Sequence, residues 1–472
     1  MPHNKFKMSD LIVVLPGILG SVLQKDGKTI WGLSFGSVIR NIFSLGRALD
    51  ALKLPNGIGH DDPNDGVRAT SLMPNIHLLP GLWKIDGYSS LLGHLEDRFE
   101  LRRPSAEVPG NLIEFPYDWR LSNRLNGKRL ANAVLPALDR WRTFSNNPAA
   151  KMVFICHSMG GLVARSFLED EAGAELTSKL ITLGTPYRGS INALNALSNG
   201  VDVPLAPLRD TIDEIVKTMP AVHQLLPTYA CVGEGNDLKA LDAIGVPNLD
   251  AGMVADAFAF HKGINDKAAQ GTKYEVFPLK GIIQPTFQTA ALRTGRIVPL
   301  HIFKGEDRKG DGTVPRRSSH PPEWANDGKA VFFSQQHPSL QADSDLHRQI
   351  DGILTSDADT FLNMRAEQDI GGDRLGIDLP EMVASGHSLE IVAKSDLGDD
   401  EIRLQAELRH EDGRRLPSVL LRPEGGGRHQ ASIGEIAPGA YQVRISSTLD
   451  SSPVSPVTGL TVVWDDAAAA EG

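Results

Sequence analysis

The sequence predicts an α/β fold, a mostly parallel sheet packed with helices, followed by a small all-β unit. Three features carry that prediction. The runs 11–15, 152–156, 180–183 and 331–333 are apolar throughout instead of alternating, as suits strands covered on both faces. Helix-like stretches separate them, 130–142 before the second run in spite of Pro136, and 161–171 after it. Beyond about residue 387 the pattern becomes strand-like alternation. Ile402, Leu404, Ala406 and Leu408 share one face, and so do Tyr441, Val443 and Ile445, with turn signals at Asp412-Gly413 and Pro438-Gly439.

Taken in order, residues 1–365 read as the α/β unit. Within it, about 190–282 reads as an insertion with Pro204, Pro207, Pro220 and Pro227 and few clear strands, either a cap over the site or a structural excursion. Residues 366–387, with Gly371-Gly372-Asp373, read as a linker, 388–465 as a β-sandwich-like accessory domain, and 466–472 as a tail. The first apolar run stops at Pro16-Gly17. It is too short for a signal-peptide core, and no later run reaches the roughly 18 apolar residues of a membrane span. Cys156 and Cys231 are too few for a disulfide framework. The expectation is a soluble, cytoplasmic protein with free thiols.

Hydrophobic residues at 41% and charged residues at 22% fit a globular chain with a sizeable core. A net charge of −10 argues against a sequence-independent nucleic-acid binder, which needs an electropositive face. The basic pairs Arg308-Lys309 and Arg316-Arg317 read as solvated surface.

The chemistry centres on Val153-Phe154-Ile155-Cys156-His157-Ser158-Met159-Gly160-Gly161-Leu162-Val163. An apolar strand, a turn of small residues and a helix are the context of a nucleophile elbow, where a sharp turn lifts a serine hydroxyl above the sheet edge. Cys156 stands where the first glycine of that motif is usual. The bland alternative is a serine N-cap after a strand. A serine nucleophile needs a base and a group that orients it, in the chain order Ser, Asp, His. Asp311 in Gly310-Asp311-Gly312 is the acid candidate, against a plain turn aspartate, with Asp307 in reserve. His337, just after the run 331–333, is the base candidate. His347 reads as a surface histidine on a helix, and His320 as a weak third. Ile18, in the Gly-rich loop after the first run, and Met159 are the candidate oxyanion donors.

Seven segments, LIVVLPGILGSVL (11–23), FPYDWRLS (115–122), VFICHSMGGLVAR (153–165), LITLGTPYRGS (180–190), HQLLP (223–227), GDGTVP (310–315) and QQHPSL (335–340), together resemble the lecithin:cholesterol acyltransferase family of α/β-hydrolases over about residues 10–355. The resemblance implies the α/β-hydrolase fold and acyl-ester chemistry, with Ser158 as nucleophile, Asp311 as acid, His337 as base and Ile18 and Met159 as oxyanion donors. Leu19, Tyr117, Trp119 and Tyr187 are the candidate substrate contacts, although an Asp118–Arg120 structural network explains the 115–122 segment equally well. The early cysteine pair of the family's membrane-engaging lid is missing, so peripheral membrane contact stays an open alternative. The β-rich unit after 387 lies outside the resemblance, and nothing in its sequence chooses between binding an unknown partner, binding carbohydrate and protecting the enzyme.

The expected function is a serine esterase or lipase-type acyl hydrolase, or an O-acyltransferase, on lipid or other acyl esters, with no metal and no organic cofactor. The rivals are a thioesterase or amidase using the same triad, and a catalytically silent partner-binding module.

Overall fold

In the computed structural model, described over residues 5–32, 49–74, 77–79, 83–171, 173–201, 206–324, 330–355, 375–398, 401–449 and 454–464, all four apolar runs become strands of one sheet. They are joined by two more: β1 (Leu11–Leu15), β2 (Leu112–Glu114), β3 (Met152–His157), β4 (Thr177–Leu183), β5 (Glu275–Gly281) and β6 (Val331–Phe333). The sheet order is β6-β5-β4-β3-β1-β2. Every pairing is parallel. β1 and β3 are buried at every position, which is why their sequences do not alternate. Because all six strands run the same way, the loops after residues 15, 157, 183, 281 and 333 emerge at one rim. This is the α/β-hydrolase arrangement.

Two crossover helices follow from local sequence. α1 (Asn123–Ser145) is capped by Ser122, whose hydroxyl accepts from the Arg124 N–H, and ends at Asn146 in the left-handed region. It runs through Pro136 because that ring faces solvent while Leu130, Val134 and Leu138 face the core. α2 (Gly160–Asp170) packs against α1 and buries nearly its whole surface.

The expected insertion at about 190–282 needs correcting at its end. Residues 275–281 form β5 of the central sheet. The separate four-stranded sheet begun by Val232–Glu234 and Asp237–Lys239 is completed by Thr289–Arg293 and Arg296–Leu300, beyond the expected limit. Two prolines sit within these strands, Pro278 in β5 and Pro299 in the last of the four.

The C-terminal part holds β7 (Leu375–Asp378), β8 (Met382–Ala384), β9 (Leu389–Ser395), β10 (Leu404–His410), β11 (Val419–Leu420), β12 (Arg422–Gly425), β13 (Arg428–Ile433), β14 (Gly439–Ser447) and β15 (Val457–Trp464). They make a four-stranded sheet, β7-β9-β13-β12, and a five-stranded one, β8-β15-β14-β10-β11. The alternating residues Leu404, Ala406, Leu408, Tyr441, Val443 and Ile445 form their shared core. The segment expected as a linker, 366–387, contains β7 and β8, whose short apolar stretches were masked by flanking Gly, Asp and Pro. The expected tail 466–472 lies outside the described residues. Ala440, Leu460, Val462 and Trp464 face the other way, into the core of the α/β part, so the two parts share buried surface. Among the described residues no helix is long and apolar enough to cross a membrane.

Candidate active site

Ser158 follows β3 with φ 51°, a left-handed backbone that a non-glycine residue adopts only where its surroundings hold it. The hold is visible. The Ser158 N–H donates to the Leu183 carbonyl (2.9 Å), and its own carbonyl accepts from Thr185 Oγ1 (2.8 Å) and from the Gly161 N–H (3.1 Å). Gly160 is obligatory here, since a Cβ would stand 2.4 Å from the Pro16 carbonyl oxygen. Cys156 is fully buried beside Leu15 and Thr182, and burial pushes its thiol well above the ordinary range. The turn therefore accepts cysteine at this position, and that thiol points into packing.

His337 Nε2 lies 2.8 Å from Ser158 Oγ, and His337 Nδ1 lies 2.7 Å from Asp311 Oδ2. A carboxylate only accepts, so Nδ1 carries the proton toward Asp311, and in the neutral ring Nε2 accepts from the serine hydroxyl. The other Asp311 oxygen, Oδ1, accepts from the Thr313 and Val314 N–H groups at 3.0 and 2.6 Å, and the Asp311 carbonyl accepts the His337 N–H at 2.7 Å. All three side chains are enclosed, with Ser158 5%, Asp311 1% and His337 4% exposed. Gly184 closes against this pair from β4. Its φ is +62°, and a Cβ there would meet Asp311 Oδ2 and His337 Nδ1, each at 2.9 Å.

The other histidine and acid candidates lie elsewhere. Asp307 pairs with Lys309 on the surface. His320 Nδ1 faces Lys280 Nζ at 3.0 Å. His347 is on a helix, Ser344–Thr355, as expected, but it is buried, not superficial. It stacks on His94 at 4.7 Å, and its Nε2 bonds to the Gln341 carbonyl. The expected surface residue Arg317 is likewise half-buried, its guanidinium 3.6 Å from the Phe303 ring centroid and 4.3 Å from that of Tyr229.

Of the expected oxyanion donors, Ile18 lies in the loop after β1, next to Gly17, and Met159 follows the serine as the N-cap of α2. Gly17 packs against Ser158, where a Cβ would be 2.9 Å from Ser158 Cβ. The four expected substrate contacts have other occupations. Tyr117 Oη donates to the Pro16 carbonyl (2.9 Å), and Trp119 Nε1 donates to the Ser21 carbonyl (3.2 Å). Tyr187 Oη bonds to Thr182 Oγ1 (3.0 Å) beneath the Arg165 guanidinium. Leu19, 1% exposed with φ 63°, accepts from Trp31 Nε1 through its carbonyl. All four are buried supports of the rim. Asp118 and Arg120 form the alternative structural network. Arg120 donates from Nε and Nη2 to the two Asp118 oxygens (2.9 and 2.7 Å) and from Nη1 to Asp65 (2.9 Å).

One chain of hydrogen bonds was not foreseen. His157 Nε2 is 3.0 Å from the His337 carbonyl, and His157 Nδ1 is 2.9 Å from Tyr88 Oη, which accepts from the Gly17 N–H at 2.7 Å. Burial, with the neighbouring His337 adding to it, pushes the His157 ring down to about 3. The ring is thus neutral, Nε2 donates, and Tyr88 donates to Nδ1. The position of His157 beside the serine was the available signal. Tyr88, in Asp86-Gly87-Tyr88-Ser89, offered none. Among the described residues no group of three or more His, Cys, Asp or Glu side chains is placed to hold a metal.

Residues 105–243 match the model of the lecithin:cholesterol acyltransferase family, a segment that includes Ser158 and stops short of Asp311 and His337. The phospholipase A(1) LCAT3 of Arabidopsis thaliana is 24% identical over 244 residues, 46% of this chain and 52% of that protein. An uncharacterized protein of Saccharomyces cerevisiae is 26% identical over 195 residues, 41% of this chain and 25% of its own length. The chain thus spans between a quarter and about half of the curated relatives it matches. Among solved structures, the lipase BlEst2 of Bacillus licheniformis is 14% identical in both forms. Its mature form covers 75% of this chain and 96% of its own, with a TM-score of 0.34. Its propeptide form covers 98% and 95%, with a TM-score of 0.38.

Proposed function

We propose that this LCAT-like chain is a serine acyl-ester hydrolase or O-acyltransferase that works on lipid esters through an acyl-Ser158 intermediate. The observation that carries the reading is the unbroken contact from Ser158 Oγ to His337 Nε2 and from His337 Nδ1 to Asp311, assembled from three distant parts of the chain. The family match and the plant phospholipase support the choice of an acyl ester, and of a lipid one.

In the proposed reaction His337 Nε2 takes the Ser158 proton as Oγ bonds to the acyl carbon, and the carbonyl π electrons move onto oxygen. The Ile18 and Met159 N–H groups receive that oxyanion. Losing one such donor costs about 2.7–4 kcal/mol of barrier stabilisation in comparable sites. The tetrahedral carbon then collapses, the bond to the leaving alcohol breaks, and His337 hands the alcohol its proton. Asp311 keeps the ring in the productive tautomer and faces its cation. Water or a second alcohol repeats the sequence on the acyl-serine and releases the acyl group. Neither half needs a metal or an organic cofactor.

The test is labelling by a fluorophosphonate. Labelling of the wild type that Ser158→Ala abolishes supports the reading, whereas a folded wild type that stays unlabelled favours the silent binding module. A panel of phospholipid, neutral-lipid, thioester and graded p-nitrophenyl ester substrates then separates lipid-ester cleavage from the thioesterase and amidase alternatives.

A further inference from the structure

The edge of the C-terminal β-structure ends on the loops that carry Asp311 and His337. An edge strand exposes unpaired N–H and C=O groups that a folded protein must cover. β7 is the outer strand of its sheet, and Gln284 covers it. The Gln284 side chain is fully buried. Its Nε2 donates to the Leu375 carbonyl (3.1 Å) and the Ser334 carbonyl (2.5 Å), and its Oε1 accepts from the Ile377 N–H (2.9 Å). A primary amide here pairs with residues 375 and 377 as the peptide of a neighbouring strand would. The Gln284 backbone exchanges two hydrogen bonds with Gly310, the residue before Asp311, at 3.0 and 3.2 Å.

The second sheet behaves alike. β8 pairs with residues 462–464 of β15, and the first part of that strand meets the base loop. There the Thr458 N–H donates to Gln335 Oε1 (2.7 Å), two residues before His337. Gln336 Nε2 reaches the Ile377 carbonyl at 3.4 Å. Gln442 on β14 donates to Asp86 (2.6 Å), whose own N–H donates to the Pro338 carbonyl (3.0 Å). The base loop needs this support, because β6 is a three-residue strand at the margin of the central sheet, with no strand outside it among the described residues.

We propose that the C-terminal β-structure, residues 375–464, is a built-in positioning element of the active centre, which holds the His337 and Asp311 loops in register through its edge strands. This rests on the triad reading above. It assigns the β-structure a role within the chain in place of an outside partner. Displacing a catalytic group by about 1 Å costs about 100-fold in rate, so a part that acts through these two loops governs turnover.

The test uses the full-length chain. Gly459→Val adds bulk where even a Cβ would lie 2.7 Å from Gln336 Oε1 and 2.6 Å from the Leu379 side chain. Gln335→Met keeps the side chain's length and removes the acceptor of the Thr458 N–H, together with the amide's bonds to the Gln336 N–H and Asp343. Leu420→Ser, at a residue 65% exposed, is the control on the same β-structure. Melting temperature, the fluorophosphonate rate constant per labelled site, and kcat and KM on p-nitrophenyl butyrate are measured for each. The expected result is a fall of about 10- to 100-fold in kcat and in labelling rate per site for both variants, with KM nearly unchanged and the control like wild type. Folded variants with wild-type rates per site overturn the proposal, as does a loss confined to the fraction of molecules labelled. If Gly459→Val fails to fold, Gln335→Met decides. A wild type that never labels sinks the triad reading and this one together, whereas a labelled wild type with unimpaired variants sinks this one alone.

Discussion

His157 Nε2 stands 3.0 Å from the carbonyl oxygen of His337, so the residue before the proposed nucleophile holds the backbone of the proposed base. Through Tyr88 the same ring reaches the Gly17 N–H in the loop proposed to receive the oxyanion. Three parts of one reaction centre are thereby tied by neutral hydrogen bonds.

Tyr88→Phe cuts this tie at its middle. It leaves His157 Nδ1 and the Gly17 N–H buried without their partner, which costs about 1–3 kcal/mol of stability. The expected outcome is a lower melting temperature together with a fall in kcat that exceeds any rise in KM, read from steady-state kinetics below the melting transition. An unchanged kcat would show that the Gly17 loop keeps its place without the tyrosine.

Asp86 sets a pH dependence of stability. Burial pushes its carboxyl from 3.8 up to about 7, against the opposing hydrogen bond from Gln442 and the charge of Arg409. A raised carboxyl binds its proton more tightly folded than unfolded, so this contribution is complete below pH 3.8 and is lost as pH rises through about 7. Asp86→Asn should therefore gain in melting temperature over wild type as pH is raised from about 4 to about 7, with the least difference at the acid end. Parallel melting curves for the two proteins across that range would contradict the assignment.

Gly184→Ala is expected to cost activity out of proportion to stability. Its Cβ would press on Asp311 Oδ2 and His337 Nδ1, both at 2.9 Å, and strain a left-handed backbone as well. Fluorophosphonate labelling should slow by at least about tenfold in protein that still melts cooperatively, which corresponds to about 1.4 kcal/mol of barrier.

The α/β part was legible because its chemistry is local. A strand buried on both faces writes itself as a solid apolar run, and the elbow compresses strand, turn and helix into the stretch from Val153 to Val163. His337 could be placed at the rim because it follows a strand-like run, and Asp311 only as the acid that chain order and its Gly-flanked turn suggested. The substrate contacts were not legible. Tyr117, Trp119 and Tyr187 look like pocket residues in sequence, yet each spends its polar atom on a neighbouring backbone or hydroxyl group. The alternating residues of β10 and β14 showed a sandwich, but not that the opposite face of β15 packs into the α/β core. That depends on Leu460, Val462 and Trp464 meeting partners more than a hundred residues away.

This shared core carries its own expectation. The independent accessory domain that the sequence suggested would be removable, whereas Trp464, 3% exposed in the main core, argues that it is not. Trp464→Ala should destabilise the whole chain by about 3–5 kcal/mol, and calorimetry should show a single transition moving down. Two separate transitions, with only one shifted, would restore the independent domain.

The most direct measurement is mass spectrometry of protein quenched during turnover of a p-nitrophenyl ester, with the acyl adduct mapped to a peptide. The proposed chemistry places the adduct on Ser158, makes it accumulate with a burst of p-nitrophenol, and removes both in Ser158→Ala. Undiminished turnover by Ser158→Ala, or an adduct on any other residue, would contradict it.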